Sequence, residues 1–429
     1  MKHLLLSICF SLTFLFGEAQ TSSLKSSPPL TEATPKSVGM SAERLDRIGS
    51  MLEAAVADDV IPGATVLIAR HGKIIYHKSF GSSDNPNDRA ARTDDIYRIA
   101  SQTKAITSTA IMMLWEEGKF GLDDPISKFI PEFKNPTILN SFRMTDSSYT
   151  TNPATRGITI RHLLSHTSGL GYGVIDGDER FKAIYKKAGV TDLFTTKDIS
   201  IGESVKKLAK LPLHHSPGDA FVYSEGLDVL GYLVEVVSGM SFSDFLQTRL
   251  FLPLGMNDTN FYQPEAKANR LVKIQTKTND KWAYFTDTFY DVDYPIKGAK
   301  RFFSGGAGLS STAKDYATFL QMYLNEGELN GKRFLSRTTI ETMMQNQTKD
   351  YLGTEKHYGL AFGVVKADGV MKGGIGGEGT FDWGGYFNTQ YFADPEEGII
   401  GILMKQTQRI GGDYTGERFR SMVFSAVDN

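Results

Sequence analysis

The chain has a single cysteine in 429 residues, Cys9, and it falls inside an apolar run at the N-terminus. The body of the protein therefore has neither a disulfide framework nor a thiol nucleophile. Charge of one sign is equally scarce: 47 Lys and Arg oppose 49 Asp and Glu for a net −2. That leaves no field for nucleic acid or anionic lipid, so a small neutral or weakly charged ligand fits better. No run beyond the first twenty residues approaches the length of a membrane helix, which argues against a membrane anchor. No serine has glycines at both offsets of Gly-x-Ser-x-Gly, so a nucleophile elbow of the α/β-hydrolase kind is excluded. His162 and His166 stand four apart, but Leu163 occupies the place where a zinc-protease signature has glutamate. They read as structural histidines, and nothing calls for a metal or a cofactor. His214 and His215 could line a pocket or serve a loop. No internal repeat is present.

What is there begins with an export-type leader. Lys2 and His3 precede an apolar stretch from Leu4 to Phe16, and Gly17-Glu18-Ala19 offers a cleavage site before Gln20. Residues 1–19 are expected to be a signal peptide, and the mature chain an exported, soluble protein, periplasmic or secreted. Acylation at Leu6-Ser7-Ile8-Cys9 would need a longer apolar run before it. Residues 20–37, rich in serine and proline, read as a flexible tether with order starting near Ser41.

With 41% hydrophobic residues the rest can bury a large core. Leu45, Ile48, Leu52 and Ala55 recur at helical spacing, and Ala64 to Ala69 and Lys73 to Phe80 form strand-like runs joined at His71-Gly72. Gly385 to Ala393 and Gly398 to Met404 read as strands near the other end, followed by a helix from Glu417 to Val427. Between them lie helical signals at Ile160 to Ser165, Gly202 to Leu211, Gly226 to Ser238, Phe242 to Leu250 and Ala313 to Asn325. The economical arrangement is α/β plus all-α: an antiparallel sheet from both chain ends with flanking helices, and an inserted helical domain. The boundaries expected are α/β parts at about 38–130 and 300–429, with a helical part at about 131–299.

The most informative local pattern is Ser101-Gln102-Thr103-Lys104, because it opens a strongly apolar helix running to Trp115. Positions i and i+3 share a helix face, so a partly desolvated Lys104 amine can act as a base toward the Ser101 hydroxyl. The bland reading is a serine helix cap followed by a surface lysine. Ser22, Ser204 and Ser311 carry the same spacing, but in a leader-like stretch or beside lysines that read as solvated. Two further segments bear on the choice. Pro217 to Ser224 leads a turn into Tyr223, which could present its phenol to Ser101 and Lys104 or simply pack. Trp383-Gly384-Gly385-Tyr386 puts paired glycines where a ligand can approach backbone closely, or where a strand bulges. If functional, the Tyr386 amide joins that of Ser101 as an oxyanion hole.

Ser101-Gln102-Thr103-Lys104, Tyr223-Ser224 and Trp383-Gly384-Gly385 resemble, in order and separation, the three active-site motifs of serine β-lactamase-like proteins. That group contains class C β-lactamases, DD-peptidases and carboxylesterases. Leu163 to Leu170, Pro253 to Met256 and Gly305 to Ser311 are similar to stretches that recur across it, and the resemblance spans about residues 40 to 425. It implies an acylated nucleophile at Ser101, its base partner at Lys104 and a proton shuttle at Tyr223. It also implies an oxyanion hole from the Ser101 and Tyr386 amides, with Gln102, Glu225, Trp383, Gly384 and Gly385 facing substrate. Two departures point away from penicillins and D-Ala-D-Ala ends: Glu225 stands where those enzymes have asparagine, and Trp383 replaces the lysine that holds a substrate carboxylate. The Trp-Gly-Gly variant is similar to the esterase branch, so a carboxylesterase on short-acyl esters is expected. The alternatives are an acyltransferase, a weak β-lactamase, a D-aminopeptidase or DD-peptidase and, from another class, a non-catalytic cell-wall or sugar-ester binding domain. The partner expected is a small-molecule ester or amide.

Overall fold

A computed structural model describes residues 20–429 apart from Ser26, Asp287, Asp350 and Lys372. The expected signal peptide, and Cys9 with it, lies outside the described residues.

The chain enters the sheet through a short strand, β1 (Thr31–Glu32), and then forms helix α1 (Ala42–Ala57). The Ser41 hydroxyl accepts the Arg44 amide at its start, and Leu45, Ile48, Leu52 and Ala55 are the buried stripe that their spacing foretold. β2 (Gly63–Arg70) and β3 (Lys73–Asp84) follow as a hairpin turning at His71 and Gly72, both in the left-handed region. Three helices then carry the interior: α2 (Thr103–Glu116), α3 (Gly226–Ser238) and α4 (Ala313–Leu324). The chain returns to the sheet with β4 (Lys356–Tyr358), β5 (Gly363–Val365), β6 (Phe381–Gly385), β7 (Thr389–Asp394) and β8 (Ile399–Met404), and closes with α5 (Thr415–Ser425).

The strand order is β4-β5-β6-β7-β8-β2-β3-β1, with Arg89–Ala90 added beside β3 as a ninth strand. Neighbours are antiparallel except β1, which lies parallel to β3. β8 joins the two ends of the chain, pairing Met404 with Thr65 and Ile399 with Arg70. All eight residues of β2 are buried because both faces are covered. Leu67 and Ala69 enter the main core shared with α2 and α4, while Val66 and Ile68 pack beneath α1 and α5. An antiparallel sheet from the two termini around a helical middle is thus the observed architecture.

Three expectations are corrected. Residues 20–37 are not a free tether where described. Thr21 and Ser22 pair with Arg333 and Lys332, and Leu30 is 9% exposed. The cause is Glu328, a fully buried carboxylate that accepts the hydroxyls of Ser23 and Ser27 and an ion pair from Arg333. These serines satisfy a buried charge instead of solvating a coil. Second, the middle holds two hairpins besides its helices, Thr137–Arg143 with Ser148–Pro153 and Gln275–Thr278 with Lys281–Tyr284. Third, the run read as one strand from Gly385 to Ala393 is two strands. A turn at residues 385–388, closed by the Asn388 amide on the Gly385 carbonyl at 3.0 Å, separates β6 from β7.

Deleting residues 20–30 should therefore cost about 2 kcal/mol or more, from losing the apolar burial that Leu30 provides and leaving Glu328 without its serine donors. A lowered urea midpoint for the truncated chain checks this, whereas a free tether would leave the midpoint where it was.

Candidate active site

The site is built at the point where the strand Tyr97–Arg98 turns into α2. Tyr97–Arg98 pairs with Ser310–Ser311, and the Ile99 amide donates to the Leu309 carbonyl at 3.1 Å, fixing the entry. Ala100 is then forced to φ +43°, a conformation an alanine adopts only when its surroundings impose it. A single 3₁₀ turn, Ala100–Gln102, delivers Ser101 to the mouth of α2. Every residue from Thr103 to Leu114 is buried, so α2 is enclosed on all sides and not along one stripe.

Lys104 is consequently 0% exposed. Its Nζ lies 3.2 Å from Ser101 Oγ and donates to the Gly306 carbonyl at 2.7 Å. The remaining space around the amine is aromatic: the Tyr223 ring centroid is 4.5 Å away and that of Tyr172 5.6 Å. The one-turn spacing read from the sequence thus becomes a direct contact, and the other three Ser-x-x-Lys copies do not reproduce it. Ser204, for instance, spends its hydroxyl on the Thr191 carbonyl at 2.6 Å.

Tyr223 is fixed by what surrounds it. The Ser224 amide donates to His166 Nδ1 at 3.2 Å, and the His166 ring lies 4.5 Å from that of Tyr223. Burial holds His166 well below the usual histidine range, with the Lys104 charge adding to the effect, so it is a neutral ring. Trp383 Nε1 donates to Tyr223 Oη at 3.3 Å. Gly385 is required by space: a Cβ there would come within 2.5 Å of the Ile99 carbonyl and 2.2 Å of Thr389 Oγ1. The lack of a side chain lets the end of β6 close on the nucleophile turn. Gly384 is under no such constraint. Tyr386 heads the turn that follows, and that turn is clamped by Asn388, whose amide donates to Thr407 Oγ1 at 2.9 Å and Asp413 Oδ2 at 2.8 Å. Asp413 in turn pairs with the buried Lys405.

A cleft of about 540 Å³ is lined by Ser101, Tyr223, Trp383, Gly384, Gly385 and Tyr386, with Asp382, Gln390, Tyr391, Phe392 and Arg420. Six of the sequence-predicted residues therefore line one cavity, with Lys104 behind Ser101. Two do not. Gln102 is fully buried because the 3₁₀ turn rotates it inward. Glu225 stands at the entry to α3, where helical rotation carries it into the interior beside Asp192 and Asp228. There burial, with the neighbouring Asp192 and Asp228, pushes its carboxyl well above the ordinary range, so it faces substrate neither as a contact nor as a charge. His162 caps the helix Ile160–Leu164, His214 stacks on Phe181 at 3.4 Å, and neither lines the cleft. The residues that reading by letters missed are His166, Tyr172 and Gly306. The Gly305-Gly306-Ala307-Gly308 run was the available signal for the last, but its contribution is a backbone carbonyl.

Comparison with known proteins agrees with this geometry. A family model described as Beta-lactamase matches residues 48–420. The chain is 29% identical over 381 residues to "Esterase EstB" of Burkholderia gladioli, an alignment covering 84% of this chain and 90% of that one. It is 28% identical over 375 residues to "Lovastatin esterase" of Penicillium rubens, covering 82% and 90%. Among solved structures, "EstCE1, a hydrolase with promiscuous acyltransferase activity" superposes with a TM-score of 0.74 at 25% identity, over 90% of this chain and 98% of that one. With the matched region taking in the Ser101–Lys104 turn, Tyr223 and the β6 glycines, this chain belongs to the β-lactamase family.

Proposed function

We propose that the protein is a serine carboxylesterase that works through an acyl-enzyme on small-molecule esters with short acyl groups. The observation that carries this reading is the fully buried Lys104 amine 3.2 Å from Ser101 Oγ at the base of an open cleft. In it, Ser101 Oγ attacks the ester carbonyl while Lys104, as the free amine, takes the hydroxyl proton. The oxyanion forms against the amides of Ser101 and Tyr386. Collapse breaks the carbonyl–alkoxy bond, and the leaving oxygen receives its proton through Tyr223 Oη, which is replenished from Lys104. Water then repeats the sequence in reverse and frees the acid. Names of relatives with an esterase activity, EstB and lovastatin esterase, support the reaction class.

The substrate side of the proposal rests on charge. Trp383 occupies the place of a carboxylate-holding cation, and it is committed to Tyr223. The guanidinium that lines the cleft, Arg420, is paired with Asp382, which also engages Lys356. A substrate carboxylate would have to displace that pairing, and a neutral ester need not. Transfer of the acyl group to an alcohol in place of water is the second reading, favoured by the acyltransferase activity stated for EstCE1. An exported location follows from the leader read in the sequence and belongs to the same proposal.

A fluorophosphonate should add one phosphonyl mass to the intact protein and none to Ser101→Ala; a binding domain on this scaffold would remain unlabelled. Lys104→Ala should slow acylation by about 10²- to 10⁴-fold, the range lost with a nucleophile's base, and a near-normal burst of nitrophenol would assign that task elsewhere. Short-chain nitrophenyl esters should be cleaved with a kcat/KM far above that for a chromogenic cephalosporin. Equal values for the two would show that the cleft recognises a carboxylate after all.

A further inference from the structure

The described site leaves one buried acid unexplained. Asp228 lies one turn into α3, 2% exposed, on the side of that helix facing α2. Its Oδ1 accepts the amide of Gly306 at 3.2 Å, and the carbonyl of the same residue accepts Lys104 Nζ at 2.7 Å. Glycine at 306 gives the carboxylate room: a Cβ would come within 2.9 Å of Asp228 Oδ2 and 3.4 Å of Tyr172 Oη, so Asp228 would have to shift. The neighbouring residue is held in the same way from α2, where Thr107 Oγ1 donates to the Gly305 carbonyl at 2.7 Å. The Gly305-Gly306 segment thus has no side chains of its own and takes its position from α2 on one side and Asp228 on the other.

We propose that Asp228 is a positioning residue for Lys104, acting through the Gly306 peptide: its carboxylate fixes the amide, and the amide's own residue presents the carbonyl that aims Nζ at Ser101. The inference rests on Lys104 being the base partner of Ser101. A lysine side chain has four rotatable bonds, and one acceptor must select the rotamer that points at the hydroxyl. The Gly306 carbonyl is that acceptor, and nothing covalent in a double-glycine segment would otherwise keep it still. The surroundings are consistent with the role. Burial pushes Asp228 up to about 6, opposed by hydrogen bonding from Ser304, by the Lys104 charge and by the Gly306 amide. An acid placed there only to fill space would have been replaced at lower cost by leucine, since an isolated buried carboxylate is expensive.

The test is single-turnover acylation by a nitrophenyl ester, compared for wild type, Asp228→Ala and Asp228→Asn, each with Lys104 intact and with Lys104→Ala. Asp228→Ala should slow acylation by about 10- to 100-fold, the scale of a misplaced catalytic group, with KM changed less than about twofold. Asp228→Asn keeps an acceptor for the Gly306 amide and should recover most of that loss. In the Lys104→Ala background, Asp228→Ala should bring no further loss, because its effect passes through the amine. Should Asp228→Ala fail to accumulate as folded protein, Asp228→Ser, which also cannot reach the amide, carries the same comparisons. Multiplicative losses in the double variant, an asparagine variant as slow as the alanine one, or a wild-type rate for Asp228→Ala would each overturn the proposal. The underlying reading fails separately, by a wild-type rate for Lys104→Ala alone.

Discussion

The arrangement depends on the cost of keeping an amine inside a helix that is enclosed on every side. A lysine in such a place is tolerated only where acceptors and ring faces replace water. Here the replacements come from four places in the chain: the Gly306 carbonyl, the Ser101 hydroxyl in the turn that leads into α2, and the rings of Tyr172 and Tyr223. Each has to be brought to Lys104 by the fold. The helical middle and the Gly305–Ser311 segment are therefore locked together by the requirement to satisfy one side chain, and the constraint that is costly to stability is the one that makes chemistry available.

The second constraint is the approach of β6 to the nucleophile turn. Gly385 lets backbone meet backbone at Ile99, and the turn after it is held by Asn388, Asp413 and Lys405, none of which touches the cleft's nucleophile. Ala100 at positive φ is the mirror of this on the other side. Two pieces of main chain, one strained and one stripped of side chains, thus converge beside Ser101.

What could be read from letters and what could not divides along a physical line. Side chains with a fixed spacing on a regular element were legible: Ser101 with Lys104, the stripe of α1, the β2–β3 hairpin, and the Trp-Gly-Gly segment. Gln102 and Glu225 were misplaced because each stands where extended or irregular chain becomes helical, and a change of period there rotates a side chain from the cleft to the interior. The 20–37 segment was misread because its serines looked like solvated coil. Their partner, buried Glu328, lies some three hundred residues away, and no local pattern announces it. The Gly305 to Ser311 stretch stood out, but not what Gly306 does there, because its contact with Lys104 is through a carbonyl that every residue has; Asp228, which accepts the Gly306 amide, gave no signal.

In the proposed esterase reading, Trp383 sets substrate preference without a charged recognition group. Its indole N–H donates to the Tyr223 hydroxyl, and its ring packs at 5.1 Å from that of Tyr358. Beside it in the same cleft, Asp382 engages Lys356 and Arg420. Arg420 thus lines the cleft with its charge already engaged, and Trp383 offers a neutral aromatic donor there. An acyl-enzyme cycle at this site needs its substrate to supply a polarisable carbonyl and a leaving oxygen but no anion, which is the minimal description of a simple ester. Replacing the indole by a lysine would keep a donor toward Tyr223 and add a charge, so the tryptophan supplies the first without the second.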